Sequence, residues 1–381
     1  MSEKSILIAG AGVGGLTAAL ALHSRGLPVT VLERARELHP LGVGINLLSH
    51  AVRELRELGL GDTLDAVAVA PSSIHFCAED GTLRFREPRG IAAGDAHPQL
   101  SVHRGLLQMM LLDAVQTRIG VDAVRTSAGV TGFVQSDDDV TVQTTSGAVT
   151  GAALIGADGI ESTVRRLLHP GQDPLMWSGI TMYRGACRMP AFLDGHTMAI
   201  IKGSNHIGLV AYPIGEDLVN WVIEVPDGTP GPLHASARWN ATAEPADVVS
   251  HVGDWRIGWL DAAAMIAETE RVFSYPMVDR DVLPHWGERR VTLLGDAAHP
   301  MYPVGANGGS QAIVDARVLA DHLAARGIDG LRDYEDERRA ETAEVVAANR
   351  RMHGRSAETD PHEIAQMATD YRSDTMRSTR S

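Results

Sequence analysis

Apolar positions set the outline of the chain. A run from Ser5 to Ala9 breaks at glycines, resumes at helical spacing over Leu16–Ser24, and returns as a second apolar run at Val29–Leu32. Strand, turn, helix and strand in such short compass predict a βαβ unit, the opening of a nucleotide-binding domain. Ala51–Leu58 and Leu106–Ile119 carry apolar residues at helical spacing, whereas Val124–Ile155 alternates as a β-meander with turns near Asp137–Asp139 and Ser146-Gly147. From Gly179 onward the pattern is strand and turn: Ile180–Arg184, Met198–Ile201, Ile207–Tyr212 and Val219–Val225 predict a second, mostly antiparallel sheet. The hairpin Ile74–Cys77 with Leu83–Phe85, turning at Asp80-Gly81, is expected to join it. Arg290–Leu294 is again a buried-type strand, followed by a glycine-rich loop and helices over Gln311–Ala325 and Leu331–Asn349.

The expected fold is therefore α/β, with a discontinuous nucleotide domain over 1–70, 100–175 and 275–345. A substrate domain over 71–99 and 176–274 interrupts it, and 346–381 forms a C-terminal helical tail, loosely packed or frayed after His353.

Composition narrows the function. The chain has 381 residues, 44% hydrophobic and 22% charged, enough for one large core or two smaller ones. The net charge of −14, with no basic cluster, argues against nucleic acid or anionic lipid as a partner. Cys77 and Cys187 form no CxxC pair, which removes a disulfide reductase and fits a cytoplasmic setting. Glycines interrupt Ile6–Leu22, so it reads as a fold element rather than a signal peptide, and no other stretch is long and apolar enough to span a bilayer. The 16 histidines show no HxxxH or Cys/His cluster, so no metal site is indicated.

Three motifs carry chemistry. Gly10-x-Gly12-x-x-Gly15 follows a strand and opens a helix, which lets backbone N–H groups and the positive helix end meet a pyrophosphate. Glu33 ends the next strand, where a carboxylate can accept from both hydroxyls of an adenosine ribose. This fingerprint alone leaves FAD and NAD open. Gly156-Ala157-Asp158-Gly159 precedes Ser162, Val164 and Arg165; by itself it reads as a strand-to-helix turn with Arg165 in a surface ion pair. Gly295-Asp296 ends the strand Val291–Leu294 and leads into Pro303-x-Gly305-x-Asn307-Gly308-Gly309.

In this order the three motifs resemble those of the class A flavoprotein monooxygenases, the para-hydroxybenzoate hydroxylase family, over residues 3 to about 350. The resemblance implies the Rossmann-like FAD domain of that family. It implies non-covalent FAD, NADH or NADPH as reductant, and hydroxylation of an aromatic small molecule with O2 through a hydroperoxide on flavin C4a. It makes Asp296 the ligand of the ribityl chain and Asp158 a residue serving FAD and nicotinamide cofactor. Arg104 is placed near the ribityl and phosphate region, and Gly44, within Leu41–Ile45, near the flavin ring. The cofactor set it implies is Gly10, Gly12, Val13, Gly14, Gly15, Glu33, Arg34, Gly44, Arg104, Val130, Asp158, Asp296, Pro303, Gly305, Asn307, Gly308 and Gly309. The stretches Leu41–Asn46, Gly179–Gly185, Tyr275–Asp281 and Met301–Ser310 look most like phenazine-hydroxylating members, which points to a phenazine- or quinoline-like carboxylate, with or without decarboxylation.

Hydroxylation of this kind asks the protein for geometry and dryness rather than a nucleophile. Tyr212, before Pro213 at the end of an apolar strand, is the first candidate to orient or deprotonate substrate, with a core aromatic as the alternative. Arg184 could take a substrate carboxylate in its fork or a cross-strand ion pair. His206 is either a proton-handling group at a turn or an exposed loop residue. An NAD-linked dehydrogenase would leave Gly295-Asp296 without a role, and a flavoprotein binder or sensor would carry the same motifs.

Overall fold

The computed structural model describes residues 4–171, 174–204, 206–215, 217–234 and 241–354, together with 363, 366, 369 and 370. The tail expected after His353 thus lies almost entirely outside the described residues.

The opening βαβ unit forms as its pattern predicts. Ile6–Ala9 and Val29–Leu32 are fully buried parallel neighbours, joined through the helix Val13–Ser24. They sit at the centre of a 5-stranded parallel sheet ordered Val291–Leu293, Ala153–Gly156, Ile6–Ala9, Val29–Leu32, Val124–Arg125. Continuous apolar runs are what such strands need, because both faces of the sheet are buried. The expected meander over Val124–Ile155 is only partly antiparallel. Its middle strands, Val130–Gln135, Val140–Thr144 and Gly147–Gly151, pair as a small antiparallel sheet, while both ends leave to join the parallel sheet. Burial decides this: Ala153–Gly156 is apolar on both faces and can be covered only inside the larger sheet.

The second sheet has 9 strands. Its main path runs Ala241–Ala243, Val272–Asp279, Met176–Arg188, Leu218–Pro226, Gly208–Gly215, Thr197–Lys202, Ser73–Ala78, Leu83–Pro88. All neighbours are antiparallel except Thr197–Lys202 with Ser73–Ala78, the step that brings in the hairpin. Strand alternation gives this sheet two unlike faces. Cys187, Ala199, Ile201, Leu209, Ala211, Trp221 and Ile223 face a dry core closed by the short helices Pro245–Val249 and Ala262–Ala267. The residues between them face a cavity.

The division expected at 274/275 falls inside the strand Val272–Asp279, and that at 345/346 falls inside the helix Gly330–Gly354. Pro276 masks the first: it removes a ladder donor, yet the strand tolerates it while pairing from Met176↔Asp279 to Arg184↔Phe273. The helices Asn307–Arg326 and Gly330–Gly354 pack together, and the former lies against Val13–Ser24. No described helix is long and apolar enough to cross a membrane.

Candidate active site

One cavity of about 1250 Å³ runs from the opening βαβ unit to the second sheet. It is larger than the roughly 300–1,000 Å³ that a single drug-sized ligand fills, so it has room for a dinucleotide and a substrate together. Gly10, Gly12, Glu33, Arg34, Gly44, Arg104, Val130, Asp158, Asp296, Pro303, Gly305, Gly308 and Gly309 line it, as do Arg184, His206 and Tyr212. Val13, Gly14, Gly15 and Asn307 stand behind its wall.

At the nucleotide end the backbone sets the shape. Gly10 has φ +100, and a Cβ there would lie 2.6 Å from the Ala157 carbonyl oxygen. Gly15 packs so tightly that a Cβ would stand 2.1 Å from the Gly10 carbonyl oxygen, which seats the helix start against the strand end. Gly12 caps that helix with open space around it, the arrangement an anion needs to approach free N–H groups. The Glu33 carboxylate accepts from the Ala11 N–H at 2.8 Å and the Ala35 N–H at 2.7 Å. Two bonds leave lone pairs for further donors such as ribose hydroxyls. Gln108, which the sequence reading missed, donates to the Ala11 carbonyl at 2.7 Å and ties the Arg104 helix to this turn. His103 caps the same helix by accepting from the Gly105 N–H.

The middle motif has a double task. Asp158 accepts from Ser162 and from the Thr163 and Val164 N–H groups, capping the helix Thr163–Leu168 from the cavity wall. Arg165 is not the surface ion pair its position suggested. It is buried, and its guanidinium donates to the carbonyls of Ala297 and Ala298 at 3.0 and 2.8 Å. One motif therefore holds the loop of the next.

Beneath that loop lies a buried polar network with no sequence signature. Asp315 accepts from the Gly295 N–H at 2.9 Å, from Nε2 of His299 at 2.6 Å and from Nε of Arg338 at 2.7 Å. Burial alone would raise its pKa, but His299 and Arg338 outweigh burial and hold it down at about 2. Arg338 also donates to Glu341 and Gln311, and the Tyr334 hydroxyl donates to the Leu293 carbonyl at 3.0 Å. The result fixes Gly295 while leaving Asp296 exposed to the cavity. Opposite it, Gly305 at φ 68 and Ala306 at φ 61 turn the chain into the helix Asn307–Arg326, whose first N–H groups open at Gly308 and Gly309.

The far end is a floor of alternating strand residues. In register across the sheet stand Arg184, Val222, Val210, Ile200 and Phe76, four apolar side chains beside one guanidinium. At about 4.8 Å per strand, the apolar part is roughly 14 Å wide. Tyr212, Met198 and Ile74 form the row on one side. The Tyr212 hydroxyl has no hydrogen-bond partner among the described residues, and burial pushes its pKa up to about 12, with Arg184 pulling the other way. It is thus a neutral phenol at physiological pH, able to donate or accept but not resident as a base. Arg184 has no carboxylate partner among the described residues: its only hydrogen bond goes to the Gly44 carbonyl at 3.3 Å, and its buried Nε lacks one. His206 is exposed at the rim, with φ 64. Asn220, buried on the same face in the row of Tyr212, accepts from the Gly44 N–H at 2.6 Å, so Gly44 is held on both sides by the second sheet.

A glycine-shaped anion cradle, a ribose-height carboxylate and an exposed aspartate beside a helix N-terminus, joined by one cavity, fit FAD. The sequence profile of the FAD binding domain family matches residues 3–349.

The chain belongs to that family.

It is 44% identical over 366 residues to the phenazine 1,6-dicarboxylic acid hydroxylase PhzS of Lysobacter antibioticus, covering 92% of this chain and 90% of that protein. It is 33% identical over 366 residues to 3-hydroxybenzoate 6-hydroxylase 1 of Aquipseudomonas alcaligenes, covering 91% and 88%. The fold matches that of HpxO from Klebsiella pneumoniae, solved with FAD and uric acid, at a TM-score of 0.80 and 22% identity over 98% of this chain and 97% of that one. The family member described here is a FAD-dependent monooxygenase acting on aromatic compounds.

Proposed function

We propose that the substrate is a planar, electron-rich heteroaromatic carboxylate of the phenazine or quinoline type. The carrying observation is the Arg184 guanidinium, which has no carboxylate partner among the described residues, at the edge of an apolar floor roughly 14 Å wide. A single benzene ring would leave much of that floor wet, whereas two or three fused rings cover it. The name of the Lysobacter relative supports the same class.

FAD, when bound, would supply the redox chemistry, with NADH or NADPH as reductant and O2 as oxidant, one oxygen atom going to the ring and the other to water. The protein's own groups do the rest. Glu33 and the Gly10–Gly15 turn hold the adenosine and pyrophosphate, while Asp296 and the amides at Gly308 and Gly309 hold the ribityl chain and flavin edge. Arg104 would face the ribityl and phosphate region, while Arg34 and Val130, neighbours of Glu33 and Gly129, would face the adenosine. Asp158 acts through the helix it caps. Arg184 receives the substrate carboxylate bidentately. Val222, Val210 and Ile200 exclude water from the ring face. The Tyr212 hydroxyl bonds a ring hydroxyl or nitrogen and orients the carbon to be attacked, passing a proton rather than keeping one. The nucleotide unit and the second sheet divide the work in this way, one holding cofactor and the other substrate.

The test is NAD(P)H oxidation with oxygen uptake and product mass, across phenazine, quinoline, pyridine and benzoate carboxylates. Gain of one oxygen with tight coupling marks a substrate, and gain with loss of carbon dioxide marks hydroxylative decarboxylation. Coupled product from monocyclic phenols alone would overturn the substrate class.

A further inference from the structure

Beside the apolar floor, on the side away from Tyr212, an ion pair is laid across a glycine. Lys202 pairs in register with Gly208, and Gly208 with Glu224. Two strand spacings put the Lys202 and Glu224 backbones roughly 10 Å apart, yet the ammonium reaches the carboxylate at 3.0 Å. It does so by passing over Gly208, where a Cβ would stand 2.5 Å from Nζ and 3.1 Å from Oε2 of Glu224. A side chain at 208 would displace the pair. Both partners line the cavity and are about one-fifth exposed, at 23% and 19%, so they belong to its wall rather than to bulk solvent.

The corner is closed from above by the last turn of the helix Gly330–Gly354. His353 lines the same region, and its ring packs on Tyr302 at 5.0 Å between centroids. Arg350 fastens that turn to the sheet through Asp279 at 2.6 Å. Burial lowers the His353 pKa, so at neutral pH the imidazole adds no charge. One ammonium and one carboxylate beside a neutral ring carry no net charge of their own, unlike the lone guanidinium of Arg184.

We infer that the Lys202–Glu224 pair is a second substrate subsite, built for a neutral group that both donates and accepts hydrogen bonds. A carboxamide, a ring lactam or a protonated carboxyl fits it, and an ionised second carboxylate does not. The ammonium keeps hydrogens beyond the one directed at Glu224, and the carboxylate keeps lone pairs. A carbonyl turned to Lys202 and an N–H or O–H turned to Glu224 satisfies both. An ionised carboxylate would gain from Lys202 but meet Glu224 as a like charge in a partly dry wall. Arg184 and Lys202 lie three strands and two residues apart, about 16 Å between backbones. With two long side chains reaching inward, the remaining gap suits a fused two- or three-ring system, and one benzene ring is too short to touch both. This inference rests on the fused-ring carboxylate proposed above.

The experiment titrates the FAD-loaded enzyme in mildly alkaline buffer with three probes, followed by flavin absorbance. They are phenazine-1-carboxylate, its 6-carbamoyl derivative and phenazine-1,6-dicarboxylate. The carbamoyl acid should bind roughly tenfold or more tighter than the diacid. Glu224→Gln, which keeps size but frees the ammonium, should invert that order. Lys202→Met should erase the advantage of the carbamoyl acid over the plain monoacid. A diacid that binds as tightly as the carbamoyl acid to the unaltered enzyme, or an order unmoved by Glu224→Gln, overturns the subsite alone. If no phenazine binds while monocyclic carboxylates do, the substrate class falls and the subsite with it.

Discussion

The two ends of the cavity are built from different material. At the nucleotide end the carboxylates that shape the site are already bonded to the chain: Glu33 to two amides, Asp158 to a helix start, and Asp315 to Gly295, His299 and Arg338. At the substrate end Tyr212 and the Nε of Arg184 stand unpartnered on a floor of side chains whose backbone ladder would form with other residues there. The cofactor end is fixed by hydrogen bonds the fold itself requires. The substrate end is fixed by side-chain identity, which can change at little structural cost except where Arg184 and Asn220 hold Gly44.

The largest expected effect tests the first half of that contrast. Arg338→Met leaves Asp315 buried beside one fewer cation, and denaturant unfolding should show a loss of about 3–5 kcal/mol. A comparable loss from a conservative change on the floor would break the contrast. The same network has a pH signature. Because the folded pKa of Asp315, at about 2, lies below its ordinary value of 3.8, its contribution is present above the ordinary value and is lost as pH falls towards about 2. Acid unfolding of Asp315→Asn should lack that increment, and a profile matching the unaltered protein would contradict it.

Tyr212→Phe keeps the ring and removes the unpartnered hydroxyl. Hydroxylation should fall by about ten- to a hundredfold with folding and FAD affinity unchanged, measured as coupled product per NAD(P)H. Wild-type coupling would assign Tyr212 to packing. Glu33→Gln should do the reverse, weakening FAD by about tenfold in a flavin titration while leaving coupling intact once loaded. The smallest effect is expected of Asn220→Ala. It strips the Gly44 N–H of its acceptor but also removes an Nδ2 that lacks a partner, so stability should drop by only about 1 kcal/mol.

What the sequence disclosed follows the same divide. Glycines at 10 and 15 and the Gly295-Asp296 pair are legible because a strained turn or a close backbone approach leaves few residue choices. Tyr212 and Arg184 were legible as candidates on two strands of the second sheet, but their shared face came only with the register of the sheet. The partners of Asp315 were not: they sit on two helices and a loop, and only packing brings 299, 315 and 338 together. Arg165 was misjudged because exposure is the ordinary state of an arginine near a helix start, and here two loop carbonyls override it. Val272–Asp279 was hidden as a sheet strand by Pro276. The Lys202–Glu224 pair escaped because its two members are separated by a residue whose only contribution is to have no side chain.

Gly44 gives the molecule a constraint of another order. Its N–H is held by Asn220 and its carbonyl by Arg184, and a Cβ would stand 2.7 Å from the Asn220 side chain. The segment assigned to the flavin is thus bolted to the strands assigned to the substrate. For anyone retargeting the enzyme to a new ring, the two sites are not separate design variables. Replacing Arg184 to admit an uncharged substrate also releases one bolt on Gly44, so altered selectivity and altered coupling should arrive together. A library that varies Val210 and Ile200, which touch no such joint, offers the cleaner route.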